Sequence, residues 1–168
     1  MRRAPSRPAD GFKKTTLFPL KQRNKEKKMS NPNVETEQTF VMLKPDALER
    51  GLAGEIIGRL ERKGLRLKRI EMKTVSKELA ARHYAEHVEK PFYPKLEAYV
   101  TRGPVLASIW EGCKAVTVVR GLVGATDSTK AAAGTIRGDF GFDATENLVH
   151  ASDSPESAER EIGVFFGE

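Results

Sequence analysis

The residues of this chain that could do chemistry fall in five short segments: Lys44-Pro-Asp46, Lys90-Pro-Phe-Tyr-Pro94, Arg120 with Thr126, Gly134-Thr-Ile-Arg-Gly-Asp139 and Asn147-Leu-Val-His-Ala-Ser-Asp-Ser154. Taken singly, each has an ordinary structural explanation. Lys44 reads as a strand-end charge, Phe92 as a core plug between prolines, Arg120 as a solvated helix charge, and His150 as a structural histidine at a strand end. Taken together, they offer three fixed cations (Lys44, Arg120, Arg137), an aromatic ring (Phe92), Thr126, Asn147 and His150. That set suits a phosphate-rich substrate carrying a flat base. Neutral imidazole is a competent nucleophile near neutral pH. The chain has no G-x-x-x-x-G-K-[ST] run and none of the protein-kinase motifs, so any bound nucleotide is gripped by side chains and not by a P-loop.

These residues need elements to position them. Thr39 to Lys44 is a short apolar run suited to a buried strand, broken by Pro45 and Asp46. Leu52, Ile56 and Leu60 share one helix face, and Lys63-Gly64 is a stop signal. Leu65 to Val75 reads as a strand whose apolar phase slips between Leu67 and Ile70, the mark of a bulge. Ser76 caps a helix running to about Glu89, a short helix follows near 95–101, and Pro104 to Trp110 is a strand. Gly112 to Val123 reads as a long helix and 124–138 as loop; 147–150 is a short strand. Ser154-Pro155 opens a last helix with Ala158, Ile162, Phe165 and Phe166 on its apolar face and Glu161 at that face's border. The expected fold is α+β. It is a ferredoxin-like split-βαβ sandwich, a four-stranded antiparallel sheet with helices over it and an inserted helical pair.

The order N-x-x-H-x-S-D-S at 147–154, with G-T-I-R-G-D-F at 134–140 and K-P-D at 44–46, resembles the nucleoside diphosphate kinase family over residues 38–167. By that resemblance His150 is the phosphorylated histidine, and Phe92 is the ring on which the base stacks. Lys44, Arg120, Thr126 and Arg137 are phosphate and ribose contacts, and Asn147 meets a ribose hydroxyl. Tyr84, Ser152 and Glu161 surround and orient the histidine. The resemblance implies ping-pong transfer of the γ-phosphate from a nucleoside triphosphate, typically ATP, to a nucleoside diphosphate. Base and sugar would be broadly tolerated. It implies Mg²⁺ carried by the nucleotide, with no metal site of the protein's own, and a homo-oligomer, tetramer or hexamer. Three positions depart from the family pattern: Ala151 for a usual Gly, Ala133 for a common Pro, and Lys90 for a common Arg. A backbone with positive φ at Ala151 would cost about 1 kcal/mol. A loop loosened at Ala133 would touch stability or assembly before chemistry, and Lys90 keeps the charge without the planar fork. His83 and His87 are expected on the surface or as helix caps.

The bulk numbers frame this. With 168 residues the chain is long enough for one domain with a real core. No apolar run reaches the roughly 18 residues of a membrane span, so no membrane-spanning role is expected. The net charge of +6 is unevenly spread: residues 1–28 carry ten Lys/Arg against two acids, and the rest is slightly acidic. A nucleic-acid role for the body is therefore not indicated, and only the arm keeps that option. The sequence divides into a basic, disordered extension at 1–37 and the domain at 38–168. The arm has three readings: an anionic-contact arm, a targeting segment, or an unstructured leader upstream of a natural start at Met29. The last carries most weight, because so polar a stretch cannot bury enough surface to order itself. The single cysteine, Cys113, makes no internal disulfide and is expected to be a small buried residue in a reducing compartment. The chain ends soon after Phe166, without the long C-terminal extension of many eukaryotic members. This points to a bacterial or archaeal type and a cytoplasmic setting.

Overall fold

A computed structural model describes residues 36–167. The N-terminal arm, to which three readings were given, lies outside the described residues. Four strands, β1 (Thr36–Leu43), β2 (Arg66–Thr74), β3 (Pro104–Cys113) and β4 (Val149–Ala151), form one sheet in the order β2-β3-β1-β4. Every neighbouring pair is antiparallel. This is the expected α+β, ferredoxin-like sheet. The helices are α1 (Pro45–Glu49), α2 (Ala53–Arg62), α3 (Lys77–His83), α4 (Tyr93–Val100), α5 (Ala115–Val123), α6 (Ile136–Phe140) and α7 (Pro155–Phe166), with single 3-10 turns at Ala85–His87 and Ser128–Lys130.

The central strand β1 explains the layering. Its side chains alternate across the sheet, and both faces are covered. Val41 and Leu43 pack with Ile56 and Leu60 of α2 and Val119 and Val123 of α5. Phe40 and Met42 pack on the other face with Ala80 of α3, Val100 of α4, and Ile162 and Phe165 of α7. Because the Phe40–Leu43 half of β1 is buried on both faces, it reads as a continuous apolar run with no polar alternation. Trp110 of β3 is fully buried, and its Nε1–H donates to Ser108 Oγ at 2.9 Å. Ser108 Oγ in turn donates to the Val41 carbonyl at 2.8 Å, which pins β3 to β1.

Local signals in the sequence mark most boundaries. Ser76 Oγ accepts from the Leu79 amide and Ser154 Oγ from the Ser157 amide, both at 3.1 Å, so each caps its helix. The register of β2 against β3 slips between Leu67 and Arg69, where the phase shift predicts a bulge. Other expectations are corrected. Pro45 does not merely break the chain; it opens α1, since a proline is tolerated in a helix's first turn. The helix after Ser76 stops at His83 and tightens into a 3-10 turn. The helix expected from Gly112 begins only at Ala115, because β3 runs on to Cys113. The stretch 124–138 is not all loop, for it holds a 3-10 turn and the start of α6. Cys113 ends β3 and is exposed, not buried.

Candidate active site

The end of β1, the start of α1 and the entry to β4 meet at one strained turn. Leu148 has φ +69°, in a region that L residues rarely adopt. The Val149 amide donates back to the Asn147 carbonyl at 2.8 Å, closing a three-residue turn of the strained hand. Two partners hold it. The Leu148 amide donates to Asp46 Oδ2 at 3.2 Å, and its carbonyl accepts from the Lys44 amide at 2.8 Å. Asp46 is fixed in turn by Tyr99 Oη, which donates to Oδ1 at 2.5 Å, and by the Ala47 amide at 2.9 Å. Backbone strain of this kind persists only where its surroundings over-determine it. Its effect here is to present Asn147 and His150 from one short turn and strand.

Asn147 and Lys44 face each other, Lys44 Nζ donating to Asn147 Oδ1 at 2.7 Å. Asn147 Nδ2 donates to the Thr126 carbonyl at 2.9 Å and the Ala144 carbonyl at 3.1 Å. Arg137 is buried and donates to three backbone carbonyls: Gly124 at 3.0 Å, Val149 at 2.6 Å and Asn147 at 3.3 Å. Crowding these cations under the surface depresses both. Burial first, and then the neighbouring Arg137 charge, bring the Lys44 ammonium down to about 7. Burial, then Arg120, bring the Arg137 guanidinium down to about 10.

His150 stands on β4 with its side chain 22% exposed. Its Nε2 lies 2.9 Å from Glu161 Oε2 on α7, and Ser152 Oγ donates to that same oxygen at 2.7 Å. Glu161 is buried and faces the imidazole, so its position at the border of the helix's apolar face is an inward one. Tyr84 is buried with its ring perpendicular to His150 at 6.2 Å, and its Oη has no partner among the described residues. Burial, then the Glu161 charge, push the Tyr84 phenol above its usual range.

A cleft of about 580 Å³ opens over these groups. All the sequence-predicted residues line it (Lys44, Tyr84, Phe92, Arg120, Thr126, Arg137, Asn147, His150 and Glu161) except Ser152, which is buried beneath and bonded to Glu161. Phe92 is 51% exposed at the mouth, with Lys90 Nζ 5.9 Å from its ring centre. Arg120 and Thr126 line the same cleft. Ala151 is buried and is not among the residues of positive φ, so the strain that an alanine would suffer there does not arise.

Two groups escaped the sequence reading. His83, expected on the surface or as a helix cap, is buried against the His150 ring. Its signal was the i, i+3 spacing from the apolar Ala80, which puts both on the core face of α3. Arg160 lines the cleft beside Glu161, their charged atoms 3.7 Å apart. The lining is thus rich in cations, and its most buried carboxylate, Glu161, is engaged by His150 and Ser152. A hard dication of the Mg²⁺ kind, which takes oxygen ligands, fits such a cleft only if it arrives with phosphate oxygens of its own.

Comparison with known proteins agrees with this geometry. Residues 37–168 match the family model described as nucleoside diphosphate kinase. A nucleoside diphosphate kinase of Archaeoglobus fulgidus is 60% identical over 132 residues, 79% of this chain and 87% of that protein. One of Nocardia farcinica is 56% identical over 134 residues, 79% of this chain and 96% of that protein. The solved structure of a halophilic nucleoside diphosphate kinase from Halobacterium salinarum in complex with CDP superposes with a TM-score of 0.78 at 50% identity, over 80% of this chain and 90% of that one. The chain belongs to the nucleoside diphosphate kinase family of phosphotransferases.

Proposed function

We propose that this chain transfers the γ-phosphate of a nucleoside triphosphate, typically ATP, to a nucleoside diphosphate in two steps, with the phosphoryl group resting on His150 between them. The observation that carries the reading is the His150 ring itself: open to the cleft on one side, tied through Nε2 to a buried carboxylate on the other. With the proton on Nε2, donated to Glu161, the lone pair of Nδ1 is left for the substrate. Nδ1 attacks the γ-phosphorus, the bond to the β,γ-bridging oxygen breaks, and the diphosphate leaves. A second diphosphate's terminal oxygen then attacks the phosphohistidine and takes the group away. Splitting the reaction lets one site serve donor and acceptor in turn.

The remaining residues take roles that fit their places. Lys44, Arg120 and Arg137 offset the charge on the phosphoryl oxygens in flight. Glu161, held by Ser152, stabilises the positive charge that grows on the imidazole, and Tyr84 walls the ring. Phe92 stacks on the base, which leaves purines and pyrimidines alike acceptable. Thr126 lies by the phosphates and Asn147 by the ribose, where its tie to Lys44 makes it part of a shared hydrogen-bond pair. Mg²⁺, bound to the nucleotide's phosphates, supplies further positive charge when present. A homo-oligomer, tetramer or hexamer, belongs to the same reading; the exposed Ile70 and Met72 on the edge strand β2 offer a surface for it. So do a cytoplasmic setting and an extension upstream of β1 that takes no part in the reaction.

Intact-mass measurement after mixing with ATP and Mg²⁺ tests the central claim. The expected result is one added phosphoryl group, stable in base, lost in acid, and transferred on addition of any nucleoside diphosphate. His150→Ala should take up none and turn over at least about 10⁴-fold more slowly. Stable phosphorylation of that variant would sink the assignment.

A further inference from the structure

The second imidazole of the site has no part in the transfer described above. His83 packs edge-on to His150, ring centres 4.5 Å apart and planes at 79°. It is only 4% exposed, and neither of its ring nitrogens has a hydrogen-bond partner among the described residues. A buried polar atom left unpaired calls for a physical explanation. A ring nitrogen of His83, one of His150 and a carboxylate oxygen of Glu161 all lie within 4.8 Å of one another.

Two imidazoles and a carboxylate make a donor set of catalytic zinc sites, in which a fourth position stays open. Bonds of about 2.0–2.1 Å place tetrahedral donors roughly 3.4 Å apart, so the widest gap in this triad must close by at most about 1.4 Å, within reach of side-chain rotations. Ser152 Oγ on Glu161 already supplies the outer hydrogen bond that steadies a ligating carboxylate. We infer that His83, His150 and Glu161 form a site for a zinc-class transition-metal dication; because a metal on Glu161 and Nε2 takes the place of the Nε2–H···Glu161 bond that holds the phosphorylated ring, its occupation and phosphorylation of His150 exclude each other. Burial, and after it the charges of His150, Arg160, Lys44 and His87, keep His83 neutral, the form that ligates. The nearby Arg160, Lys44 and Arg137 oppose a dication; the Glu161 carboxylate and the ease with which Lys44 sheds its proton offset them. Mg²⁺ and Ca²⁺, which take oxygen ligands, are not served by two imidazoles. The site stands independently of the phosphohistidine reading; only the mutual exclusion rests on it.

The chain has three histidines and one cysteine, so rival zinc ligands are few. Equilibrium dialysis of the full chain carrying Cys113→Ser, with Zn²⁺ alone, should give one ion per chain that excess Mg²⁺ does not displace. His83→Phe, which keeps an aromatic ring against Phe40 and Phe165, and Glu161→Gln should each weaken binding about tenfold or more. His87→Gln should not. Co²⁺ soaked into the unsubstituted protein should give the intense visible bands of a tetrahedral site, a readout that needs no variant to fold. Chain phosphorylated by ATP and freed of nucleotide should no longer take up zinc. Zinc binding unchanged in a folded His83→Phe chain, or a Co²⁺ spectrum of octahedral type only, would overturn the site. Zinc uptake by the phosphorylated chain would overturn the exclusion alone. Should no phosphorylated chain form while zinc binding still depends on His83, the transfer reading fails and the site stands.

Discussion

The floor and the rim of the cleft are built on opposite plans. On the floor, Lys44, Asp46, Arg137, Asn147 and the Leu148 turn are joined by hydrogen bonds, and Asn147 is held further by the backbone carbonyls of Thr126 and Ala144. On the rim, Phe92 is half-exposed, Thr126 is exposed, and Arg120 has no hydrogen bond or ion pair among the described residues. The floor arrives pre-formed and costs no reorganisation when charge develops above it. The rim has fewer internal ties and is freer to adjust to what enters. Under the proposed reading, a site that accepts many nucleotides but performs one reaction gains from that division.

The two arginines separate the plans most sharply. Both are cations facing the cleft, but only Arg137 also pairs three backbone carbonyls. Arg137→Ala is expected to cost about 3 kcal/mol by orphaning those carbonyls, a fall in Tm of roughly 6–12 °C. Its activity should drop on the order of 10²–10³-fold. Arg120→Ala should lose activity on a similar scale while Tm stays within about 2 °C. Thermal melts beside steady-state rates decide it. Equal losses of stability in the two variants would erase the distinction between floor and rim.

Phe92→Ala tests the rim from its apolar side. Stacking a base on an aromatic ring is worth about 1–3 kcal/mol, so KM should rise roughly 5- to 150-fold for purine and pyrimidine substrates alike. The kcat should move by no more than a few fold, and Tm should hardly change, since half of the ring is already in water. A large fall in kcat with KM unchanged would mean that Phe92 shapes the floor.

The same division decides what could be read from the sequence. Features fixed by neighbours in the chain were legible. The Ser76 and Ser154 caps, the bulge in β2 and the two-faced burial of β1 all follow from residues within a few positions of one another. The motif resemblance located the cleft residues themselves. What escaped depends on partners far along the chain. Nothing near Arg137 tells that its guanidinium props the carbonyls of Gly124, Asn147 and Val149. Nothing near Asp46 tells that Tyr99, 53 positions away, holds it against the Leu148 turn. His83 was misplaced because a histidine on a short polar helix looks solvated until β1 and α7 close over it. Cys113 was misplaced because a small apolar type says little about position at a strand's end.

The smallest expected effect concerns charge on the floor and not its geometry. Lys44 faces Asn147, Arg137, Asp46 and the Tyr99 ring, and burial leaves its ammonium at about 7 in the free protein. Nucleotide phosphates set above it would favour the charged form and raise that value. Between the two values, binding must therefore take up a proton; below about pH 6 the lysine is already charged and uptake vanishes. Titration calorimetry with a nucleoside diphosphate at pH 8, in buffers of different ionisation enthalpy, should show uptake approaching one proton per chain, and Lys44→Met should abolish it. The linked effect on folding has a fixed sign. The unfolded lysine, near 10.5, holds its proton through the window from about 7 to 10.5 while the folded one does not. Stability from this group therefore rises with pH across that window, and its full penalty is present below it. Uptake persisting in Lys44→Met would move the titrating group off the floor, and the network there would then carry a fixed charge.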